Sequence, residues 1–371
     1  MTITHLTSAR QRSYSRNFSK MCKSSIKLGK VYLVCADGKG DEIVNNINIL
    51  DIGRSKNRIM RMTVSVNLIY KKAISLDADI YHLHDPELIP IGLKLLKDGK
   101  KVVFDSHEHI ANQILSKIYI PKFIRYLISV IYAIYEKYSL KKFSGLIGAT
   151  PNIRDHLLKI NPYTIDINNF PVLSEIQKDD ERYVKSNDIV YIGSISKIRG
   201  VEEIILAMEY VKSVRLNLAG KFNEKSFKQK VKKYTAWQKV NELGFLNRQE
   251  IADLLANSKI GMVTLYPKIN YIDSLPVKMF EYMAAGIPVI ASNFPLWKEI
   301  VEGNNCGICV DPLDPKEIGG AIQYLIDNPK ESEKMGKNGL RAAINTYNWS
   351  LQEKKLFSFY KQTLNTQSIK S

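Results

Sequence analysis

Three stretches of the 371-residue chain gather side chains whose types and spacing can do chemistry. The first runs from Asp273 through Ser274, Leu275, Pro276 and Lys278 to Glu281. An apolar run of strand length, Ile260 to Leu265, leads through a polar loop into a helix that opens near Pro276, where proline is well tolerated. Free backbone N–H groups at a helix start hold phosphate or diphosphate. Lys278 in the first turns adds a cation, and carboxylates at 273 and 281 can accept from sugar hydroxyls. The same pattern also reads as an ordinary helix, with Asp273 as its cap and Glu281 solvated. The second stretch, Gly193-Ser194-Ile195-Ser196-Lys197-Ile198-Arg199-Gly200, again lies between a strand and a helix. Two glycines around a basic pair let backbone and cation approach a diphosphate together, although the spacing fits neither a Walker loop nor G-x-G-x-x-G.

The third stretch concentrates histidines. His82 and His84 alternate along one expected strand and His107 and His109 along another, which accounts for four of the six histidines. Both pairs fall at the carboxyl ends of candidate parallel strands, where open α/β sheets bind ligands. Histidine is a metal ligand, yet alternation with Asp and Ser suits hydrogen bonds to sugar hydroxyls equally. Cys306 and Cys309 have redox spacing without the strand-then-helix setting that activates a thiol, and read as a turn into a strand.

These residues need a scaffold, and short apolar runs alternate with longer segments of period 3.6, the pattern of parallel sheets covered by helices. Strands are expected at 31–36, 79–83, 101–104 and 145–149, then at 189–192, 215–219, 260–265, 288–291 and 307–310. Helices are expected at 87–96, 201–211, 249–256, 277–285 and 315–326. Ser174 to Ser186 is polar and aperiodic and reads as a linker. Hence three parts are expected: a domain over 1–172, a second over 187–348, and a closing amphipathic helix within 349–371 that crosses back to the first.

Length and composition agree with two globular domains: 45% hydrophobic and 25% charged residues exclude a disordered or collagenous chain. Four cysteines are too few for a disulfide scaffold and suit a reducing, cytoplasmic setting. The net charge is +17, with +12 in residues 1–172 and +5 in the rest, so the first half faces something anionic. No basic recognition helix, RNP-like strand or zinc spacing supports nucleic acid.

Taken together, "HLHDPELIPIGLKLLKDGKKVVFDSHEHI", "YIGSISKIRGVEEIILAM" and "DSLPVKMFEYMAAGIPVIASNFPLWKEIV" resemble the retaining glycosyltransferases of family four, over nearly the whole chain. Within them the chain looks most like bacterial enzymes that build O-antigen, capsule or other surface polysaccharide. The resemblance implies the α/β GT-B fold, two Rossmann-like domains facing a central cleft. It implies a donor such as UDP- or GDP-sugar and a glycan acceptor, typically lipid-linked, received by the first domain. The family's Glu-x7-Glu motif falls on Asp273, for the donor sugar, and Glu281, for the ribose. The backbone at Ser274 and Leu275 would hold the diphosphate. In the family's glycine-arginine loop, Ser194 follows Gly193 here where arginine is usual, so phosphate charge is assigned to Arg199, with Lys278 or Lys197. His107 matches the histidine near the donor sugar, and Asp273 and His107 are the implied catalytic pair; His84 and Glu108 are acceptor-side candidates. Without an evident covalent nucleophile, front-face substitution with retention is expected, with cationic side chains in place of a metal. Alternatives are a nucleotide-sugar 2-epimerase and a basic, membrane-attached subunit that has lost chemistry.

One further segment stands apart. Residues 116–143 combine Lys117, Lys122, Arg125, Lys137, Lys141 and Lys142 with many Tyr, Ile and Leu. Helices of this kind lie in membrane interfaces. Part of 124–135 is expected in the core of the first domain, with the lysines as a rim that docks on an anionic membrane, so that the protein sits on the inner face of the plasma membrane.

Overall fold

In the computed structural model, which describes residues 1–117, 119–177 and 186–365, the alternating runs form two parallel sheets. The first has eight strands in the order β3-β4-β2-β1-β5-β6-β7-β8. They are β1 (Thr2–Leu6), β2 (Lys30–Cys35), β3 (Glu42–Val44), β4 (Ile47–Asp51), β5 (Ile80–Leu83), β6 (Lys101–Ser106), β7 (Gly145–Gly148) and β8 (Thr164–Asp166). Only the pairing of β3 with β4 is antiparallel. The second has six parallel strands in the order β11-β10-β9-β12-β13-β14. These are β9 (Ile189–Ile192), β10 (Leu216–Ala219), β11 (Val240–Gly244), β12 (Ile260–Val263), β13 (Val289–Ser292) and β14 (Gly307–Val310).

The fold divides into two compact units, Met1–Asn169 with Gln352–Ser371, and Phe170–Leu351. The first unit therefore ends three residues before the expected boundary. Phe170 packs edge-on against Phe280 at 4.7 Å and against Tyr347 at 5.4 Å, which secures it to the second core. Ile176, inside the expected linker, is likewise buried in the second unit, while residues 178–185 of that linker lie outside the described residues. The closing helix, Trp349–Asn365, belongs to the first unit from Gln352 onward, and Tyr360 is fully buried there.

Two expectations fail. The mixed composition of the first twenty residues concealed β1, whose Ile3 and Leu6 are fully buried and which pairs with both β2 and β5 at the centre of the sheet. Its alternation of Thr, Ile and His was the signal available. The helix Lys122–Leu140 puts less of itself into the core than expected: Tyr135 packs against the core and Leu140 is buried, but many of its apolar residues face outward. Ser129, Glu136, Ser139 and Leu140 face inward, while Phe123, Ile131 and Ile134 are 77%, 57% and 67% exposed. The polar side turns in because it has partners: Ser129 Oγ donates to the Ala111 carbonyl at 3.0 Å, and Glu136 lies 2.9 Å from His156 Nε2.

Strand order also places the crevices. In each sheet the chain works outward in one direction and then returns to build the other, which opens a gap at the carboxyl ends where the direction reverses. In the first sheet this point lies between β1 and β5, and in the second between β9 and β12.

Candidate active site

Each switch point carries one group of the expected residues. In the second unit, β9 runs into Gly193 (φ 124°) and the loop closes at Gly200 (φ 69°), a left-handed conformation that disfavours side chains. A Cβ at Gly200 would sit 1.6 Å from the Thr264 carbonyl oxygen, so the loop can lie against the end of β12 only with glycine. Tyr282, from the helix Val277–Ala284, accepts the Ile192 N–H at 3.0 Å and fixes where β9 ends.

Lys278 rises from the first turn of that helix and ends beside this loop: a Cβ on Gly193 would lie 3.3 Å from its Nζ. The ammonium position is 3.5 Å from the centre of the Tyr191 ring, the side chain is 7% exposed, and among the described residues Nζ has no hydrogen-bond partner. Burial, and then repulsion from Arg199, push its pKa well below the usual lysine value against the pull of Glu281. Arg199 is half-buried at the same loop. Gly193, Arg199 and Lys278 thus meet as a cluster of two basic side chains at the end of β9.

Glu281 is not the solvated residue of the plain reading. It is 5% exposed and accepts from Arg248 Nη1 at 2.6 Å, and Arg248 also reaches Glu175 at 3.3 Å. Asp273 does not cap the start of the helix Val277–Ala284, where Pro276 holds that position; it is exposed and closes the one-turn helix Ile269–Ile272. Ser274 is anchored, its carbonyl accepting from Trp297 Nε1 at 2.7 Å and its Oγ donating to the Tyr271 carbonyl at 2.8 Å. Leu275 follows, half-buried, just before the helix. Beside Gly193, a cavity of about 300 Å³ is lined by Ser194, Gly220, Lys221, Phe245 and Leu246 among others.

In the first unit, Asp85 ties the end of β1 to the end of β5 by accepting from Thr7 Oγ1 at 2.7 Å and from Ser8 N at 2.8 Å. Asp105, at the end of β6, is fully buried and receives Arg16 through Nε at 2.9 Å and Nη2 at 2.7 Å. His107 Nε2 lies 3.0 Å from the same carboxylate. Burial alone would raise the pKa of Asp105, but the Arg16 charge and the histidine contacts hold it well below the usual carboxylate range. Sequence reasoning missed Arg16 and His5 altogether, because both lie in the N-terminal stretch of mixed composition, to which no element was assigned. The acceptor-side role expected for His84 is corrected. Its ring is fully buried, with Nε2 3.0 Å from His5 Nδ1 and Nδ1 3.3 Å from Asp105, so no nitrogen is left for a sugar. Glu108 is exposed and bonded to Gln113.

Nitrogens of His5, His82 and His84 lie within 4.8 Å of one another. However, His82 stacks on His84 with ring centres 4.4 Å apart and planes 20° apart, so their in-plane lone pairs do not converge on one centre. Cys306 and Cys309 are free thiols, both pushed up to about 12 by burial, and Cys309 sits in β14 as expected.

Comparison with known proteins adds likenesses to this geometry. Residues 174–342 match Glycosyl transferases group 1. An MMP alpha-(1->4)-mannosyltransferase from Mycolicibacterium hassiacum is 29% identical over 120 residues, which cover 32% of this chain and 28% of that protein. The chain spans about half or less of the length of the curated relatives it matches. Among solved structures, a glycosyltransferase from Rickettsia africae aligns with TM-score 0.76 at 16% identity, covering 99% of both chains. Anabaena HepE in complex with UDP-glucose aligns with TM-score 0.73 at 15% identity, covering 97% of this chain and 99% of that one. The chain therefore has the GT-B fold, and residues 174–342, within its second unit, match the description Glycosyl transferases group 1.

Proposed function

We propose that the protein is a retaining glycosyltransferase that moves a sugar from a nucleotide diphosphate to a glycan carried on lipid, in the building of a surface polysaccharide. The observation that carries this reading is the cationic pocket of Gly193, Arg199 and Lys278 beside the start of the helix Val277–Ala284. A buried amine without a partner is costly unless a ligand supplies one, and a diphosphate supplies charge and acceptor oxygens together. The adjoining cavity, lined by Gly220, Phe245 and Leu246 among others, is assigned to the nucleobase. A nucleotide sugar is further supported by HepE, whose structure holds UDP-glucose.

As the bond from anomeric carbon to phosphate breaks, negative charge builds on the leaving diphosphate. Arg199, Lys278 and the backbone N–H groups after Ser274 stabilise it there. The leaving phosphate takes the acceptor's proton on the same face, which retains configuration. Asp273 and Glu281 are assigned to donor hydroxyls, His107 to the transferred sugar and Glu108 to the acceptor. Cationic side chains do the work that a divalent metal would otherwise do.

A lipid-linked acceptor and a seat on the anionic inner face of the membrane are supported by the outward apolar face of the helix Lys122–Leu140, flanked by Lys122, Lys137, Lys141 and Lys142. Among the described residues no helix is long and apolar enough to cross a bilayer. Thermal shift with UDP, GDP, ADP and DNA, followed by hydrolysis and transfer assays with sugars of the best nucleotide, tests the reading. Stabilisation by DNA alone, or by no nucleotide diphosphate, overturns it. Release of free epimerised sugar without an acceptor would replace transfer by 2-epimerisation. Loss of activity in EDTA with recovery in Mn²⁺ would overturn metal independence.

A further inference from the structure

Asp105 is an ionised carboxylate whose two oxygens are gripped by Arg16, and it has no proton to donate. Every histidine nitrogen that faces it must therefore carry the proton. This rule applies to His107 Nε2, 3.0 Å away, and to His84 Nδ1, 3.3 Å away. The order then runs backward through the cluster. With its proton on Nδ1, a neutral His84 accepts at Nε2, so His5 Nδ1, at 3.0 Å, is the donor. His82 stacks on His84 and takes the hydroxyl of Tyr360, from the closing helix, at 2.5 Å.

At His107 this leaves one free position. In the neutral ring with Nε2 protonated, Nδ1 is an acceptor only. Among the described residues, Nδ1 is buried and has no partner. Such an atom is costly to bury empty and is matched by a hydroxyl that donates to it. We infer that Asp105, clamped by Arg16, is the positioning residue that fixes His107 as a hydrogen-bond acceptor, its Nδ1 receiving a hydroxyl of the transferred sugar. This rests on the glycosyl-transfer reading for the identity of the hydroxyl, though not for the state of the ring. A histidine left to choose its tautomer would meet that hydroxyl with a donor part of the time, and Asp105 removes the choice.

The test begins with the unaltered full-length protein. Histidine-selective ¹⁵N NMR reports which ring nitrogen carries the proton, with the His107 signals assigned by their loss in His107→Ala. A bare Nδ1 and a protonated Nε2 are expected; a proton on Nδ1 overturns the inference, whatever reaction the protein performs. The second arm is kinetic. Asp105→Asn presents an N–H where the histidines need an acceptor, and is expected to lower kcat by about 10- to 100-fold with the KM for the nucleotide sugar unchanged. If Asp105→Asn does not fold, Arg16→Met with Asp105→Asn removes both buried charges and carries the same expectation. His107→Asn, which keeps an amide oxygen near the Nδ1 position, is expected to retain about tenfold more activity than His107→Ala. Unchanged kcat in folded Asp105 variants, or equal loss in His107→Asn and His107→Ala, overturns the positioning role. Absence of transfer from every nucleotide sugar, with the expected ¹⁵N pattern intact, overturns the functional reading and leaves the ring assignment standing.

Discussion

Replacing Lys278 by Met should make the protein more stable and worse at binding nucleotide. The amine is 7% exposed, lies over the Tyr191 ring and has no hydrogen-bond partner among the described residues. An unsatisfied buried polar group costs about 1–3 kcal/mol. Methionine has nearly the same length, is apolar, and keeps contact with the ring. A net gain of roughly 1–2 kcal/mol is expected, a rise in Tm of about 2–8 °C for a unit of this size. The gain should depend on pH. Because the folded state depresses the lysine pKa, the unfolded chain binds more protons between the folded value and the ordinary value near 10.5, and wild-type stability rises with pH across that window. Lys278→Met removes this slope, so its advantage should be greatest at the acid end of the window and fall, above the ordinary lysine pKa, to what the unsatisfied neutral amine costs. If diphosphate is what the amine awaits, the variant loses a charge-assisted hydrogen bond of about 1.5–3 kcal/mol. UDP or GDP, whichever binds wild type, should then bind about 10- to 150-fold more weakly by calorimetric titration. A variant that melts lower than wild type and binds nucleotide equally well would refute the reasoning at both ends.

Other perturbations follow the same physics. Gly200→Ala forces a Cβ to within 1.6 Å of the Thr264 carbonyl at φ 69°, so a loss of about 2–4 kcal/mol is expected in denaturant unfolding; a loss below about 0.5 kcal/mol would mean that the loop does not lie where it is described. Arg248→Met leaves the nearly buried Glu281 without its cation, and because Arg248 is itself half-exposed, destabilisation of only about 1–2 kcal/mol is expected. Phe123→Ser combined with Ile131→Ser and Ile134→Ser should abolish flotation with anionic liposomes while leaving Tm within about 1 °C, since these side chains are exposed; wild-type flotation should weaken with salt, and no flotation at any ionic strength would remove the membrane reading.

Much of the candidate site in the second unit could be read along the chain. Its parts are local: a strand end, a glycine-bounded loop, and a proline-opened helix with Lys278 and Glu281 one turn apart. Such features follow from short-range rules for turns and helix starts, and all nine strands expected overlap observed ones, those over 31–36 and 288–291 with a shift of one residue from β2 and β13. The five strands missed, β1, β3, β4, β8 and β11, are short or polar, and their place is set by neighbours rather than by their own pattern.

What sequence by itself determined is therefore the class of fold and the positions where loops meet helix starts, because periodicity and glycine placement act over a few residues. Tertiary structure alone decided the charges and the protons. Arg16 meets Asp105 across 89 positions of sequence, Arg248 meets Glu281 across 33, and Tyr360 meets His82 across 278. None of these pairs has a spacing that a linear reading can detect. The same holds for the helix Lys122–Leu140, whose apolar residues look like core until the partners of Ser129 and Glu136 show which side turns inward. An ionisable side chain takes its state from what lies within a few ångströms after folding, and it is folding that turns a list of histidines into one ordered chain ending at His107.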